Sequence, residues 1–299
     1  MRSSLTKWFD TYGTASSQDR QVDWFRIIPF LLLHAGCLLV IWVGVSPVAL
    51  LVGLVSYLLR MFAITAFYHR YFSHRAFGTA RLTQFIFALF GAASTQRGPL
   101  WWAAHHRNHH RFVDTVDDPH RPEDGFFWSH MGWFLCKKNF ITDIDRVKDW
   151  RKYPELVWLD RYDMAVPILY AGLLYVLGFF LELFFPNLGT NGMQMLVWGY
   201  VVSTVVLLHA TLSVNSIAHK FGRRTFATKD RSRNNMLVAL LTLGEGWHNN
   251  HHRYAGSSRQ GFYWWQIDFT YYLLKFFSLI GIVWNLKPVP EEVFQEGKR

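Results

Sequence analysis

The chain has 299 residues, 51% of them apolar and 18% aromatic, with a formal net charge of +10 and only two cysteines. Together with a mean hydropathy above zero, at +0.07, this composition points to a membrane protein and excludes a disordered or disulfide-rich secreted chain. Cys37 lies in an apolar run and Cys136 in a polar segment, which leaves no cysteine-based zinc site. The cations flank apolar runs and carry no nucleic-acid-binding motif, so anionic lipid headgroups or an anionic substrate are the expected partners rather than nucleic acid.

Residues 1–25 are polar and basic, with no apolar core followed by a small-residue cleavage site, and no removable signal peptide is expected. Residues 27–45 form an apolar run of spanning length, Ser46-Pro47 interrupts it, and residues 48–67 form a second. Leu82, Phe85, Ile86, Leu89 and Phe90 recur at i, i+3, i+4, i+7 and i+8, the stripe of an amphipathic helix lying in the membrane interface. Two further spans are expected at 165–185 and 193–214, separated by the uncharged turn 186–192. The aromatic stretch 262–284 reads as a packed or interfacial helix. These elements predict an all-α membrane protein of one domain, 1–299, with four transmembrane helices arranged as two hairpins and a helical cap formed by 69–163 and 215–299.

Charge orients the spans. Of 31 Lys and Arg, 4 precede the first span, 14 fall between 69 and 163, 12 follow residue 214, and Arg60 alone lies within a span. By the positive-inside rule both termini and the cap face the cytoplasm. Arg60 is expected to face protein or to snorkel, because a lipid-facing arginine costs roughly 2.5–3.5 kcal/mol on insertion scales.

The chemistry concentrates in histidines. His106, His109 and His110 stand at i, i+3 and i+4, neighbours about 5–6 Å apart on one helical face, which is metal-ligand spacing. The same spacing returns at His248, His251 and His252. His69 and His74 are i, i+5, roughly 140° apart on an ideal α-helix, so the helix is expected to stop between them. His219 lies just beyond the fourth span, with Asn215 four residues before it as a candidate holder of a metal-bound water. Nine histidines exceed what one metal needs. With no carboxylate or thiolate ligands evident nearby, a two-metal iron site activating dioxygen is the sharper reading, since zinc has no redox chemistry. Among the remaining histidines, His34 and His209 read as packing residues, His105 and His130 as solvated or interfacial, and His120 as a neighbour of the ligands.

HRYFSH, HHRNHH, NSIAH and GEGWHNNHH, with DDPH and GFFWSHMGW, resemble the integral-membrane fatty-acid desaturases of the stearoyl-CoA desaturase type. The resemblance implies a non-haem di-iron site, dioxygen, and conversion of a mid-chain CH2–CH2 to a cis double bond in a C16–C18 acyl chain, at the delta-9 position. It carries over His69, His74, His106, His109, His110, His219, His248, His251 and His252 as ligands and Asn215 as the water holder. It also implies electrons from a separate donor, such as a cytochrome b5-like protein, a ferredoxin or a rubredoxin with its reductase. Animal acyl-CoA members have an Arg-Asp pair directly before the second box, where this chain has Ala104-His105. Acyl-CoA is the expected substrate, favoured by a basic rim of Arg97, Arg107, Arg111, Lys137 and Lys138; an acyl chain esterified in a membrane lipid is the alternative.

Tyr57 and Met61 share one helical face of the second span, roughly 18 Å and 12 Å along the helix from His69. They are expected to line the far end of an acyl tunnel. The same histidine-rich iron chemistry also fits a membrane hydroxylase or ketolase. A metal transporter is disfavoured because the histidines lie beyond the span ends rather than near the bilayer midplane.

Overall fold

The computed structural model describes residues 9–11 and 20–298, so the signal-peptide expectation for 1–25 falls mostly outside the described residues. Helix α1, Ile28–Gly36, opens on Pro29 in its first turn. It tightens into a 3-10 turn at Cys37–Leu39 and ends at Val43. Gly44, at φ 66°, turns the chain over in a conformation that a side chain would disfavour. The first apolar helix is therefore shorter than the expected 27–45.

The second rod is longer than expected. The Ser46 hydroxyl accepts from the Ala49 amide as an N-cap and Pro47 occupies the first helical position, a pairing that starts α2, Pro47–Phe62, sharply. The expected end at Phe67 is corrected by a π-helical stretch, Ala63–Ser73, which continues the rod so that Pro47–Ser73 spans 27 residues. Next come the interfacial candidate α3, Arg81–Ala92, and then α4, Pro99–Phe112, and α5, Pro154–Arg161. Helix α6 is Ala165–Phe184. A further π-helical stretch, Met195–Val202, leads into α7, Ser203–Lys220.

Helix α8 is the six-residue His248–Arg253, and α9, Phe269–Leu279, covers part of the aromatic stretch with eleven residues, too few to span. Among the described residues one two-stranded sheet forms, β1, Gly78–Thr79, pairing antiparallel with β2, Val283–Trp284, Gly78 opposite Trp284.

Among the described residues three helical rods are long and apolar enough to cross a membrane: Pro47–Ser73, Ala165–Phe184 and Gly192–Lys220. Small residues bring them together, since a Cβ at Gly53 would meet the Trp198 carbonyl oxygen at 2.9 Å and one at Gly178 the Asn191 oxygen at 2.5 Å. Arg60 faces protein and is fully buried. Its guanidinium donates to the Ser56 and Ala93 carbonyls and to the Thr204 and Ser203 hydroxyls, with the Tyr170 ring 5.2 Å away. The cation is thus held by neutral oxygens.

Below Arg60, the main apolar core gathers Met61, Phe62, Phe67, Phe72, Leu100, Leu156 and Leu159 between the second rod, α4 and α5. This core fixes the two histidine-bearing segments against each other.

Candidate metal centre

The helix stops between His69 and His74, as expected, with Ser73 its last residue, but its final stretch is π-helical rather than α-helical. Hydrogen bonds running i→i+5 bring residues five apart to the same side, and Ser73 ends the stretch with His74 as its C-cap. The two rings lie 5.0 Å apart between centroids. Residues that an α-helix would splay are therefore neighbours.

All nine expected histidines converge, in two adjoining groups. His69, His74, His106, His110 and His251 form one, and His109, His219, His248 and His252 the other, each with its ligand atoms within 4.8 Å of one another. Across the first group, the Nε2 atoms of His74 and His106 are 2.8 Å apart, those of His110 and His251 2.8 Å, and those of His69 and His251 3.1 Å. Across the second, His219 and His248 are 2.9 Å apart and His109 and His252 3.4 Å. The groups meet where the His110 and His252 rings stack at 4.7 Å.

Carboxylates brace the outer nitrogens. Glu245 receives His69 Nδ1 and is itself held by Arg70 and Gln260, both at 3.0 Å. Asp118 receives His109 Nδ1 at 3.0 Å, and Asp230 lies 3.3 Å from His252 Nδ1. Proton-bearing Nδ1 atoms leave the Nε2 lone pairs facing inward, so His109 and His252 present two acceptors to each other. Such a centre is stable around a cation, and imidazole sets of five and four suit a transition metal.

The electrostatics agree with that fit. Burial, aided by neighbouring imidazoles, holds His74, His106, His110, His248 and His251 well below the usual histidine range, which keeps them neutral and able to ligate. Burial also opposes charge on Asp118, Asp230 and Glu245, yet the partners described here outweigh it and hold all three below the ordinary carboxylate range.

These three acids were not anticipated. Glu245 and Asp118 sit inside the quoted GEGWHNNHH and DDPH stretches, where an acid near a box is the only available signal. Nothing local marks Asp230.

Other expected residues fall as follows. His120 is buried and joins His109 and Asp118 in a third group of candidate ligand atoms. Asn215 stands one turn before His219 and lines a cavity of about 190 Å³ together with His106, His120, Trp102, Phe30, Leu33 and Leu212. Tyr57 and Met61 do not line it; the Tyr57 hydroxyl donates to the Leu241 carbonyl, and Met61 is fully buried in the core.

The basic rim is also redistributed. Arg107 is spent on the Phe72, Ser73 and Arg146 carbonyls and on Asp149, while Arg97 lines the cavity paired with Asp163 at 2.6 Å.

His105 is not solvated but stacked 4.3 Å from Trp101, where burial depresses it to about 4. His34, His209 and His130 form a chain. His34 Nδ1 meets the Phe30 carbonyl at 2.7 Å, His34 Nε2 meets His209 Nε2 at 3.1 Å, His209 Nδ1 meets His130 Nε2 at 2.9 Å, and His130 Nδ1 meets the Ser216 hydroxyl at 2.9 Å. The chain joins α1, α7 and the segment after Phe126.

The fatty acid desaturase family model matches residues 21–288. The chain is 34% identical over 299 residues to an sn-2 palmitoyl-lipid 9-desaturase of Nostoc sp. (strain 36), covering 98% of this chain and all of that one. It is 35% identical to an sn-1 stearoyl-lipid 9-desaturase of Anabaena variabilis, covering 91% and 97%. It is 39% identical to a probable chloroplastic lipid desaturase of Arabidopsis thaliana, covering 79% of this chain but spanning only 62% of that protein. An acyl-CoA 5-desaturase of Anemone leveillei is also 39% identical, over 78% of this chain and 69% of that one. With histidine clusters, three membrane-length helices and a match across most of its length, the chain belongs to the fatty acid desaturase family and is an oxidoreductase.

Proposed function

We propose that this enzyme removes two hydrogens from a mid-chain CH2–CH2 of a C16–C18 acyl chain, at the delta-9 position, to give a cis double bond, with dioxygen as oxidant. His69, His74, His106, His110 and His251 would hold one iron, and His109, His219, His248 and His252 the other. Bound iron would supply the redox capacity to activate dioxygen that zinc lacks.

The chain's own residues do the positioning. Glu245, Asp118 and Asp230 fix the protons and ring orientations of His69, His109 and His252. His120 braces Asp118, with its ring nitrogen 3.7 Å from the carboxylate, and Asn215 holds a water at the cavity edge. The acyl chain lies in the cavity against Trp102, Phe30, Leu33, Leu208 and Leu212, a wall that also excludes bulk water.

The observation carrying this reading is that His106, one of the five-histidine group, also lines the cavity, where Trp102 stacks on it at 5.1 Å, so a chain in the cavity passes beside the metal ligands.

The substrate form we favour is an acyl chain esterified in a membrane lipid. Arg97 at the cavity is paired with Asp163 and Arg26 with Asp23 at 3.7 Å, and Arg107 is turned into the fold, which leaves fewer free cations for a CoA phosphate. Both relatives covered almost end to end are named as acyl-lipid 9-desaturases. Acyl-CoA is the second reading, favoured by the Anemone relative. Met61, closed into the core outside that cavity, is proposed with Tyr57 to set chain length by blocking its extension, so that Met61→Ala would open the core and shift preference toward longer chains.

The α1 segment is proposed as a fourth crossing that completes two hairpins in a single domain, with both termini and the histidines cytoplasmic, in line with the charge asymmetry. A separate carrier delivers the electrons.

Fatty-acid profiling of a host expressing the protein, with labelled stearoyl-CoA and pre-formed phospholipid supplied separately to membranes, tests the reading. New cis-monoenes from the phospholipid support it; product only from stearoyl-CoA selects the second form, and no monoene from either refutes desaturation.

A further inference from the structure

The third histidine box is laced from outside to one loop. The Asn249 side-chain oxygen, fully buried, accepts from the Thr225 and Phe226 amides at 2.8 and 2.7 Å, and its amide donates to the Phe226 carbonyl at 3.2 Å. Asn234 pins the same loop from its far end, donating to Asn250 at 2.7 Å. Asp230, in the middle of the loop, turns inward to His252 Nδ1 at 3.3 Å, and Asn249 and Asp230 are both buried. Asp230 therefore links the His252 ring directly to this loop.

That outer face is strongly basic. Between Lys220 and Arg233 stand Lys220, Arg223, Arg224, Lys229, Arg231 and Arg233 against the one acid Asp230, so fourteen residues hold a net +5, half of the +10 of the whole chain. Lys220, Arg223, Arg224, Lys229 and Arg231 are exposed. Arg231 meets Glu123 at 3.0 Å, whereas Arg224 and Arg233 bond to neutral oxygens of the loop itself. The loop places a positive field beside the four-histidine group, to which Asp230 ties it through His252.

We propose that the outer face of 220–233 is the docking surface for an acidic one-electron carrier protein, with Asp230 and His252 as the contact between that surface and the site. The inference rests on the desaturase reading, whose balance requires it: CH2–CH2 plus O2 plus two electrons and two protons gives CH=CH and two waters. The substrate supplies two of the four electrons that dioxygen takes up, and the carrier brings the other two, one per visit. A membrane headgroup would also be attracted to these cations, but it has no need of the clamp joining the loop to the third box. Charge steering of this kind changes association rates by roughly 10–1,000-fold and is salt-sensitive.

The test uses the iron-loaded 299-residue enzyme in vesicles of zwitterionic phosphatidylcholine, without and with anionic phosphatidylglycerol, and two acidic probes tried separately, a reduced plant-type ferredoxin and the reduced soluble domain of cytochrome b5. Arg223→Glu with Lys229→Glu is compared with wild type and with the milder pair Arg223→Gln and Lys229→Gln. Carrier oxidation is followed by stopped flow, carrier binding by fluorescence anisotropy, and dithionite-driven desaturation as a single turnover, the enzyme being reduced anaerobically, freed of dithionite and then given dioxygen.

The expected result is a fall of about tenfold or more in carrier-driven rate and in binding for the Glu pair, a smaller fall for the Gln pair, and unchanged dithionite-driven desaturation. Raising the salt should slow wild type and not the Glu pair. Binding and carrier-driven rates that ignore the substitutions overturn the proposal, as does a wild type that neither carrier reduces. A loss that appears only when anionic lipid is present assigns the loop to headgroups and equally overturns it. Failure of the wild type to desaturate with dithionite would instead count against the desaturase reading, and anisotropy still reports on docking in that case.

Discussion

The two histidine triplets have one spacing and opposite allegiances. In α4, His106 and His110 serve the five-histidine group while His109 reaches the other; in α8, His248 and His252 serve the four-histidine group while His251 crosses over. In both, the i and i+4 rings share a centre and the i+3 ring is given to its neighbour. A triplet is thus a bridge between two sites, not a site, and two triplets related by exchange make a paired centre.

Their supports differ just as clearly. Helix α4 is a fourteen-residue helix with its own turns, anchored at the start by Asp160, which accepts from the Trp101 amide at 2.7 Å. Helix α8 has six residues, too few to stand alone, and is held by the side chains of Asn249 and Asn250. The first triplet is supported by its helix and the second by its neighbours.

The comparison is broken most severely at the ligands. Purified wild type is expected to contain about two irons, and His110→Ala or His252→Ala should each abolish desaturation while the protein stays inserted. Iron should fall toward about one per chain, and His252→Ala should empty its site more completely, because only three imidazoles remain there. Activity retained in both variants, with iron unchanged by elemental analysis, would remove the histidine groups as the metal centre.

The next effect is at the braces. Asp230→Asn and Asp118→Asn act on the four-histidine group and Glu245→Gln on the other, each expected to cost about 10–100-fold in metal affinity. Competition with a chelator measures it, and equal loss from both groups in all three variants would show that the braces are not local.

Asn249→Ala sharpens the difference in support. It strands the Thr225 and Phe226 amides in a buried position, a cost on the order of 1–3 kcal/mol for each unsatisfied group, and should loosen α8 without loosening α4. Hydrogen exchange resolved by segment would show faster exchange over 221–253 and unchanged protection over 99–112.

The smallest expected effect concerns pH and the anchor of α4. Burial raises Asp160 to about 6, against the bonds from Thr142 and Trp101 that favour its charge. The unfolded value is about 3.9, so the fold prefers the protonated form. Its favourable contribution is complete below about pH 4 and shrinks as pH rises to about 6. Between pH 4 and pH 7 the wild type should lose about 2–4 °C of melting temperature relative to Asp160→Asn. A flat difference would mean that Asp160 is ionised throughout.

Much of the centre was legible because imidazole pairs at i, i+3 and i+4 need only a helix to converge, and HHRNHH and HNNHH sit on one each. The end of the helix before His74 was legible, but the closeness of the two rings was not, because an α-helical period was applied to a π-helical stretch and no residue in AITAFYHRYFS announces that winding. Glu245 and Asp230 act on rings that the fold brings to them, His69 and His252, and such pairings are invisible to local pattern.

The spans at α6 and α7 were read well from hydropathy. The first was overestimated, since hydropathy continued through Val45 after the helix had already narrowed at Cys37–Leu39 and ended at Val43. The cavity lies along α1, α4 and α7 rather than beside Tyr57 and Met61 because the core closes around Met61.

The chain of His34, His209, His130 and Ser216 has a direction. Its last acceptor is a backbone carbonyl, so His34 must carry its proton on Nδ1 and offer Nε2 as an acceptor. His209 then donates from Nε2, His130 donates from Nε2, and Ser216 donates to His130, with one proton on every ring and no choice left over. In nitrogen magnetic resonance this means one ring of the Nδ1–H tautomer followed by two of the Nε2–H tautomer. An added proton finds a place only at the His130 end, where Ser216 can turn to the Leu212 carbonyl 3.2 Å away; at the other end the carbonyl of Phe30 accepts and passes nothing on. The three helical segments are fastened by a one-way sequence of donors that conducts no proton beyond α1.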